Sequence, residues 1–355
     1  MATEYTPLTA EQEREVSDAG KIGKMRDQLA NVLRKSVPNS CVMQMIDCKA
    51  FPKPVPVQCP KSVVQVANEL VCQSSDVSVT DLVEKLQLSE EEISTISEAT
   101  VDQASSQAWH DQRKARITAS SFHAVKTMVK SIYLGKGSDT SKLVKKIIGL
   151  TPVVNTASVK HGISMEPHAK RSYRRIMQKT HKHIQIRDSG LVLCGSDPYI
   201  GASPDLIVTC KCHGKGLCEI KCPYSIRDQK PHMGNYNHLD EGNSLKKSSQ
   251  YYTQIIGQMG VLGLEYCDFF VYTSHGSHLE RIEFDKSCWD KLLADLKHFW
   301  CTYVAPELLH PLSESTDQND DHVYSKDNSA VPLPVPPNLQ LQSCKGPLTQ
   351  SKVHL

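Results

Sequence analysis

The sequence predicts an α/β fold on three observations. Apolar residues recur at helical spacing through much of residues 118–179. The period then shortens to strand-like runs between residues 184 and 221. A helix, a hairpin and a last amphipathic helix follow, ending near residue 303.

Residues 1–75 are poorly patterned. Residues 51–60 read as extended, because each proline fixes φ and pushes its predecessor toward β or polyproline II. Ser89 and Glu92 predict a helix start, the serine capping and the glutamate reaching back to it. Further helices are predicted from about residue 118, over 141–148 with Gly149 as the stop, and over about 163–179. Strands are predicted at 184–186, 190–193, 206–208 and 217–221. A loop covers 223–248, a helix 249–262, a closing hairpin 268–284 and a final helix 285–303. After Pro311 the chain is rich in Ser, Asp, Asn and Pro and reads as a disordered tail. The organisation expected is therefore a poorly patterned region 1–75, an acidic helical addition 76–108, a core 109–310 and a tail 311–355.

Composition excludes several classes. Among 355 residues no apolar run reaches the roughly 18 needed to span a membrane. The N-terminus is polar and acidic, which argues against a secretory signal or a basic transit peptide. Thirteen cysteines then read as reduced thiols of an intracellular protein, nuclear or cytoplasmic and not secreted. The net charge of +2 conceals a strong asymmetry. Residues 109–183 hold sixteen Lys and Arg against Asp111, Asp139 and Glu166, a balance of +13. Residues 76–102 hold eight acids against Lys85. A basic block of this size fits a polyanion partner as well as it fits a set of solvated helix faces.

The chemistry concentrates around Asp205, Glu219 and Lys221. Asp205 falls at a strand start, and Glu219 and Lys221 lie two apart on the next strand, so they share a face. Cys218, Ile220 and Cys222 face the other way. A hairpin between the two strands would set Asp205 beside Glu219. Two such carboxylates suit a hard divalent cation, and a lysine beside them suits phosphodiester hydrolysis. A buried salt bridge is the plainer explanation of the same pattern. Glu166 shares a helix face with Ala169 and Tyr173, an unusual place for an acid in a basic helix. It reads either as a further acid for the site or as a salt-bridging glutamate near a helix start.

Five blocks of residues carry a resemblance. They are Trp109-His-Asp-Gln-Arg113 through Ser120, Gly162 to Glu166, Ser203-Pro-Asp205, Glu219-Ile-Lys221-Cys-Pro-Tyr-Ser-Ile-Arg-Asp228, and Tyr251-Tyr-Thr-Gln254-Ile-Ile-Gly-Gln258-Met259. In this order they resemble the YqaJ-type viral recombinase family, which includes phage lambda exonuclease, over residues 85–310. The resemblance implies a PD-(D/E)XK restriction-endonuclease-like core, a central mixed β-sheet flanked by helices. It implies a Mg²⁺-dependent deoxyribonuclease, with Mn²⁺ as an alternative ion, that digests double-stranded DNA from a 5′ end in recombination or repair. Asp205 and Glu219 would hold the metal, with Glu166 as a supporting acid. Lys221 would be the catalytic lysine and Gln254 a helper. Arg113, Ser120 and Ser203 would grip a terminal 5′-phosphate, which suits a guanidinium beside hydroxyls. Double-stranded DNA ends, a single-strand annealing protein and a homo-oligomer are the implied partners. Endonuclease action and a domesticated, non-catalytic DNA-binding role stay open. Leu206 stands where the family often has glycine. The long polar extensions resemble those of transposon-derived eukaryotic members.

Other candidates are weaker. Cys210, Cys212 and His213 share a turn but fall one ligand short of a tetrahedral zinc site, and Cys218 and Cys222 read as core thiols. His181 and His183 read as a strand-edge surface pair. Arg227, Lys230, His232, Lys246 and Lys247 flank the active strand in a loop, where phosphate contact needs no special sequence. One of Tyr251 and Tyr252 reads as core, and Phe299 and Trp300 as packing residues.

Overall fold

The computed structural model describes residues 59–137, 139–152 and 156–310, together with Val32 and Lys35. The predicted tail 311–355, most of the extended stretch 51–60 and most of the region 1–58 lie outside the described residues.

The N-terminal helices α1 (Val63–Gln73), α2 (Val79–Lys85) and α3 (Glu90–Ala99) all begin with a serine capping box. The pairs are Ser62 with Gln65, Ser78 with Asp81 and Ser89 with Glu92, each serving two otherwise unpaired backbone donors. Helix α1 corrects the description of residues 1–75 as poorly patterned, since Ser62-x-x-Gln65 is a legible start signal. Helix α3 packs on the core at Gly190, where an added Cβ would lie 1.9 Å from the Ser97 carbonyl oxygen. Thr100 accepts from the Leu191 backbone N–H at 2.7 Å in the same contact.

Helix α4 (Gln107–Arg113) leads into the short strand β1 (Ile117–Thr118) and helix α5 (Phe122–Tyr133). Helix α6 (Ser141–Ile148) ends at Gly149, whose φ of 92° supplies the left-handed cap predicted for it. Helix α7 (Ala157–Thr180) is longer than predicted, starting at the Thr156 cap. Gly162 hides its opening turns, because glycine is a poor helix-interior residue.

Strands β2 (Gln185–Asp188), β3 (Val192–Leu193), β4 (Ile200–Ala202), β5 (Leu206–Cys210) and β6 (Gly214–Lys221) follow. Then come helix α8 (Gln250–Leu262), the β7 (Tyr266–Thr273) and β8 (Gly276–Glu283) hairpin, and helix α9 (Lys286–Phe299). Helix α9 continues through a π-helical segment, Trp300–Val304, into α10 (Ala305–Leu309). The main sheet has the order β2-β5-β6-β7-β8 and is mixed, β6 and β7 being parallel and the other pairs antiparallel. A small second sheet, β1-β4-β3, is not predicted by the sequence pattern. Its β1 and β4, two and three residues long, are too short to show a period.

Helices cover the main sheet on both faces. Ala169, Tyr173 and Met177 of α7 pack with Leu206, Val208, Cys218, Ile220 and Phe270. On the other face Ile255, Ile256 and Met259 of α8 join the core that holds Leu217, Cys267 and Phe269. Phe299 and Trp300 are fully buried packing residues. The Tyr173 hydroxyl donates to Asp268 at 2.7 Å, and Arg281 donates twice to the same carboxylate at 2.8 and 3.0 Å. This triad fastens α7 to the β7–β8 hairpin with a paired rather than lone buried charge. Among the described residues no helix is long and apolar enough to cross a membrane.

Gly257 lets α8 approach α5, since an added Cβ would lie 2.2 Å from a ring carbon of Phe122. Gly257→Ala should therefore destabilise by about 1–3 kcal/mol through overpacking. That exceeds the roughly 1 kcal/mol alanine normally gains in a helix. A urea midpoint equal to or above that of the parent would contradict this packing.

Candidate active site

The antiparallel register pairs Leu206 with Cys218, which brings Asp205 opposite Glu219 as the predicted hairpin requires. Asp205 immediately precedes β5, and its carboxylate accepts from the Ile220 backbone N–H at 2.6 Å. Glu219 and Lys221 sit near the end of β6, on the face toward α8.

Glu219 is the most enclosed of these groups, at 3% exposure. One carboxylate oxygen accepts from the Lys221 ammonium and from Gln254 Nε2, the latter at 2.6 Å. The other accepts from Gln258 Nε2 at 2.7 Å. Gln254 also accepts from Lys221 Nζ at 3.3 Å, so its amide bridges the lysine and the glutamate. Lys221 lies 4.8 Å from the Tyr251 ring centre, a cation–π distance. Burial alone would lower the lysine, but Glu219 and Asp205 outweigh it and push its pKa up to about 12.

A cleft of about 400 Å³ opens at this end of the sheet. Glu166, Asp205, Glu219, Lys221, Tyr224 and Tyr251 are among its lining residues. Glu166 reaches it from α7, half-exposed and paired with Lys170 at 2.9 Å. Lys170 in turn meets Asp188 at 2.7 Å, and Arg174 meets Asp188 at 3.1 Å. The helix-start reading of Glu166 is corrected, because α7 begins at Ala157, more than two turns earlier.

Asp205 has no cation of its own among the described residues. Burial first, and then the neighbouring Glu219, hold its carboxyl well above the usual carboxylate range, against the pull of Lys221. Three carboxylates thus share a cleft whose lysine is already engaged by Glu219. The donor set is all oxygen and short of positive charge, which fits a hard divalent cation.

A second cluster adjoins the first through the Ser203-Pro-Asp205 turn. Arg113 stacks on Trp109, 4.0 Å from the ring centre, and approaches the Ser120 hydroxyl at 3.4 Å. The Trp109 indole N–H donates to Ser203 Oγ at 3.1 Å. Gln103 braces the turn by donating to the Pro204 carbonyl at 3.1 Å and to that of Ser189 at 2.8 Å. Burial pushes Arg113 down to about 10, so it remains charged at neutral pH, and no carboxylate pairs with it among the described residues. Ser203 and Asp205 are two residues apart, hence within about 7 Å between Cα atoms.

All eight residues singled out in the sequence therefore fall into two adjacent clusters. Glu166, Asp205, Glu219, Lys221 and Gln254 form one, and Arg113, Ser120 and Ser203 form the other. Sequence reasoning gives no role to Gln258, although its i+4 spacing from Gln254 marks it, and none to Gln103, Trp109 or Tyr224. Tyr224 stands at the cleft with Arg227 stacked on it, 4.2 Å from the ring centre. The basic block is less uniform than its charge count. Arg116 is buried and donates to the carbonyls of Pro198 and Gln112, and Lys170 is neutralised by its acids.

The mixed sheet, with Asp205 at the head of one strand and Glu219 and Lys221 at the tail of its neighbour, is the helix-flanked α/β core expected from the sequence. Residues 108–265, somewhat under half of the chain, match the YqaJ-like viral recombinase domain. It is similar to a solved alkaline exonuclease from Laribacter hongkongensis at 23% identity and a TM-score of 0.44, covering 57% of this chain and 94% of that one. It is also similar to the protein of a SOX–DNA complex, at 11% identity and a TM-score of 0.44, over 83% of this chain and 94% of that one. The shutoff and exonuclease protein of Kaposi's sarcoma-associated herpesvirus matches at 12% identity and a TM-score of 0.38, over 68% of this chain and 79% of that one. No curated protein sequence matches the chain.

The raised pKa of Asp205 bears on stability. A carboxyl raised in the folded state stabilises below its unfolded value, near 4, and that contribution is lost as pH rises through the folded value. Asp205→Asn should therefore stabilise the metal-free protein at neutral pH, by about 0.5–2 kcal/mol. A lower melting temperature for Asp205→Asn without divalent ions would contradict the proposed carboxylate crowding.

Proposed function

We propose that this protein is a metal-dependent deoxyribonuclease that digests double-stranded DNA from a 5′ end. The observation that carries the reading is the convergence of Glu166, Asp205, Glu219 and Lys221 in one cleft beside an arginine that no carboxylate neutralises among the described residues. Asp205 and Glu219, with Glu166 in support, would hold Mg²⁺ or Mn²⁺, which when bound polarises the scissile phosphate and makes its water acidic. Lys221 holds an ammonium beside that position, where it neutralises charge developing on the phosphate and orients the attacking water. Gln254 keeps the lysine and Glu219 in register, and Gln258 keeps Glu219 from turning away.

Arg113, Ser120 and Ser203 offer a guanidinium and two hydroxyls to a terminal phosphate dianion. Through Ser203 this cluster adjoins Asp205, which supports a 5′-terminal phosphate held near the reacting bond. That neighbourhood favours removal of terminal nucleotides over internal cleavage. Tyr224 and Arg227 at the cleft provide an aromatic face and a charge for the DNA strand. The remaining 3′ single strand is the form that a single-strand annealing partner takes up, and a homo-oligomer would keep the enzyme on its substrate.

End-labelled linear duplex should be degraded with Mg²⁺ and left intact with EDTA, while covalently closed circles survive both. Nicking of the circles would favour an endonuclease, and an inert protein with intact fold would favour a DNA-binding role. The terminal-phosphate pocket has a separate test. Ends bearing a 5′-phosphate should be cut about 10–100-fold faster than 5′-hydroxyl ends, from a charged hydrogen bond of about 1.5–3 kcal/mol. Arg113→Ala should collapse that ratio toward unity. A preference that survives the substitution would place phosphate recognition elsewhere.

A further inference from the structure

We propose that His181, Cys210, Cys212 and His213 bind a structural Zn²⁺ that ties the end of α7 to the β5–β6 hairpin. The sequence offers Cys210, Cys212 and His213 in one turn, one ligand short. The fold supplies the fourth. Cys210 is the last residue of β5, Cys212 and His213 form the turn before β6, and His181 directly follows the last residue of α7. Their candidate ligand atoms all lie within 4.8 Å of one another. The strand-edge reading of His181 and His183 is thereby corrected, since His181 turns toward Cys212 and His183 occupies a turn with φ of 54°.

The distances suit a tetrahedron. His181 Nδ1 is 3.0 Å from Cys212 Sγ, the two sulfurs are 3.2 Å apart, and His213 Nδ1 is 3.7 Å from Cys210 Sγ. Zinc bonds of about 2.3 Å to sulfur and 2.0 Å to nitrogen give edges of about 3.3–3.8 Å. Closing the site thus means spreading the two sulfurs by about half an ångström and drawing the widest-spaced ligand atoms, up to 4.8 Å apart, together by about an ångström. The imidazole rings are 5.0 Å apart and inclined at 69°, so they do not stack face to face and both can point inward. The His213 backbone N–H approaches Cys210 Sγ at 3.3 Å, a contact that stabilises a thiolate ligand. Both cysteines are free thiols, available to ligate. Two thiolates and two neutral imidazoles balance the dication, and the two thiol protons leave to solvent on binding.

The site is remote from the cleft. Asp205 and Cys210 bracket β5, about 17 Å apart along an extended strand. Glu166 and His181 are separated by about 22 Å along α7. Four protein ligands leave no open position for substrate, which marks a structural site. Its effect is to hold the helix carrying Glu166 across the two strands that present Asp205 and Glu219.

The test is elemental analysis of the full chain purified without chelator from zinc-supplemented culture. The result expected is one zinc per chain in the parent and in Asp205→Asn, and loss of that zinc in Cys212→Ser. Zinc retained in Cys212→Ser, or lost in Asp205→Asn, would overturn the assignment. The unaltered chain offers a measurement that needs no variant. After exchange with Co²⁺ it should show intense visible bands of tetrahedral cobalt with a sulfur-to-cobalt charge-transfer band in the near ultraviolet. No zinc in the parent and no such spectrum would overturn the proposal. So would a native mass revealing a Cys210–Cys212 disulfide.

Discussion

The structure depends on keeping one carboxylate inside the protein. Glu219 lies in the middle strand of the main sheet at 3% exposure, where an unpaired charge would cost several kcal/mol. Three side chains meet that demand: Lys221 from the same strand and Gln254 and Gln258 from α8. The glutamines are one turn apart, so the demand fixes how α8 is rotated over the sheet. Gly257, between them, lets that helix sit close to Phe122. The packing of the α8 face and the arrangement of the site are thus one constraint.

Asp205 adds a second strain of the same kind and leaves it unresolved. Its carboxylate has a backbone donor but no cation of its own among the described residues, and Glu219 stands beside it. Across the Ser203-Pro-Asp205 turn, Arg113 has the opposite deficiency, a half-buried charge without a carboxylate among those residues. A phosphate chain carrying a divalent cation would answer both. The Tyr173–Asp268–Arg281 triad, by contrast, is internally satisfied and holds α7 in place. The charges of that triad are architectural, whereas those of Asp205 and Arg113 are the ones a ligand would complete.

Much of this arrangement is legible in the amino-acid sequence. The alternation in 217–221 puts Glu219 and Lys221 on one face, and the short connection from 210 to 214 implies the hairpin that sets Asp205 opposite Glu219. Gly149 and Ser89 mark a helix end and a helix start correctly. What stays hidden depends on long-range contact. His181 is 31 residues from Cys212, so no local spacing reveals it as a fourth ligand. Gln103 braces a turn 101 residues away. Strands β1 and β4 are too short to carry a period, and their pairing comes from tertiary packing. The sequence pattern truncates helix α7, because Gly162 breaks local propensity while Thr156 caps the true start.

The central claim is that Lys221 acts at the reacting phosphate rather than only pairing with Glu219. Single-turnover cleavage of a linear duplex by Lys221→Ala, at saturating enzyme and Mg²⁺, tests it most directly. The rate should fall by about a hundredfold or more, the scale of removing one charge-stabilising group from an active site. Circular dichroism should stay native and DNA affinity should change little. An unchanged cleavage rate in a folded Lys221→Ala protein would contradict that role.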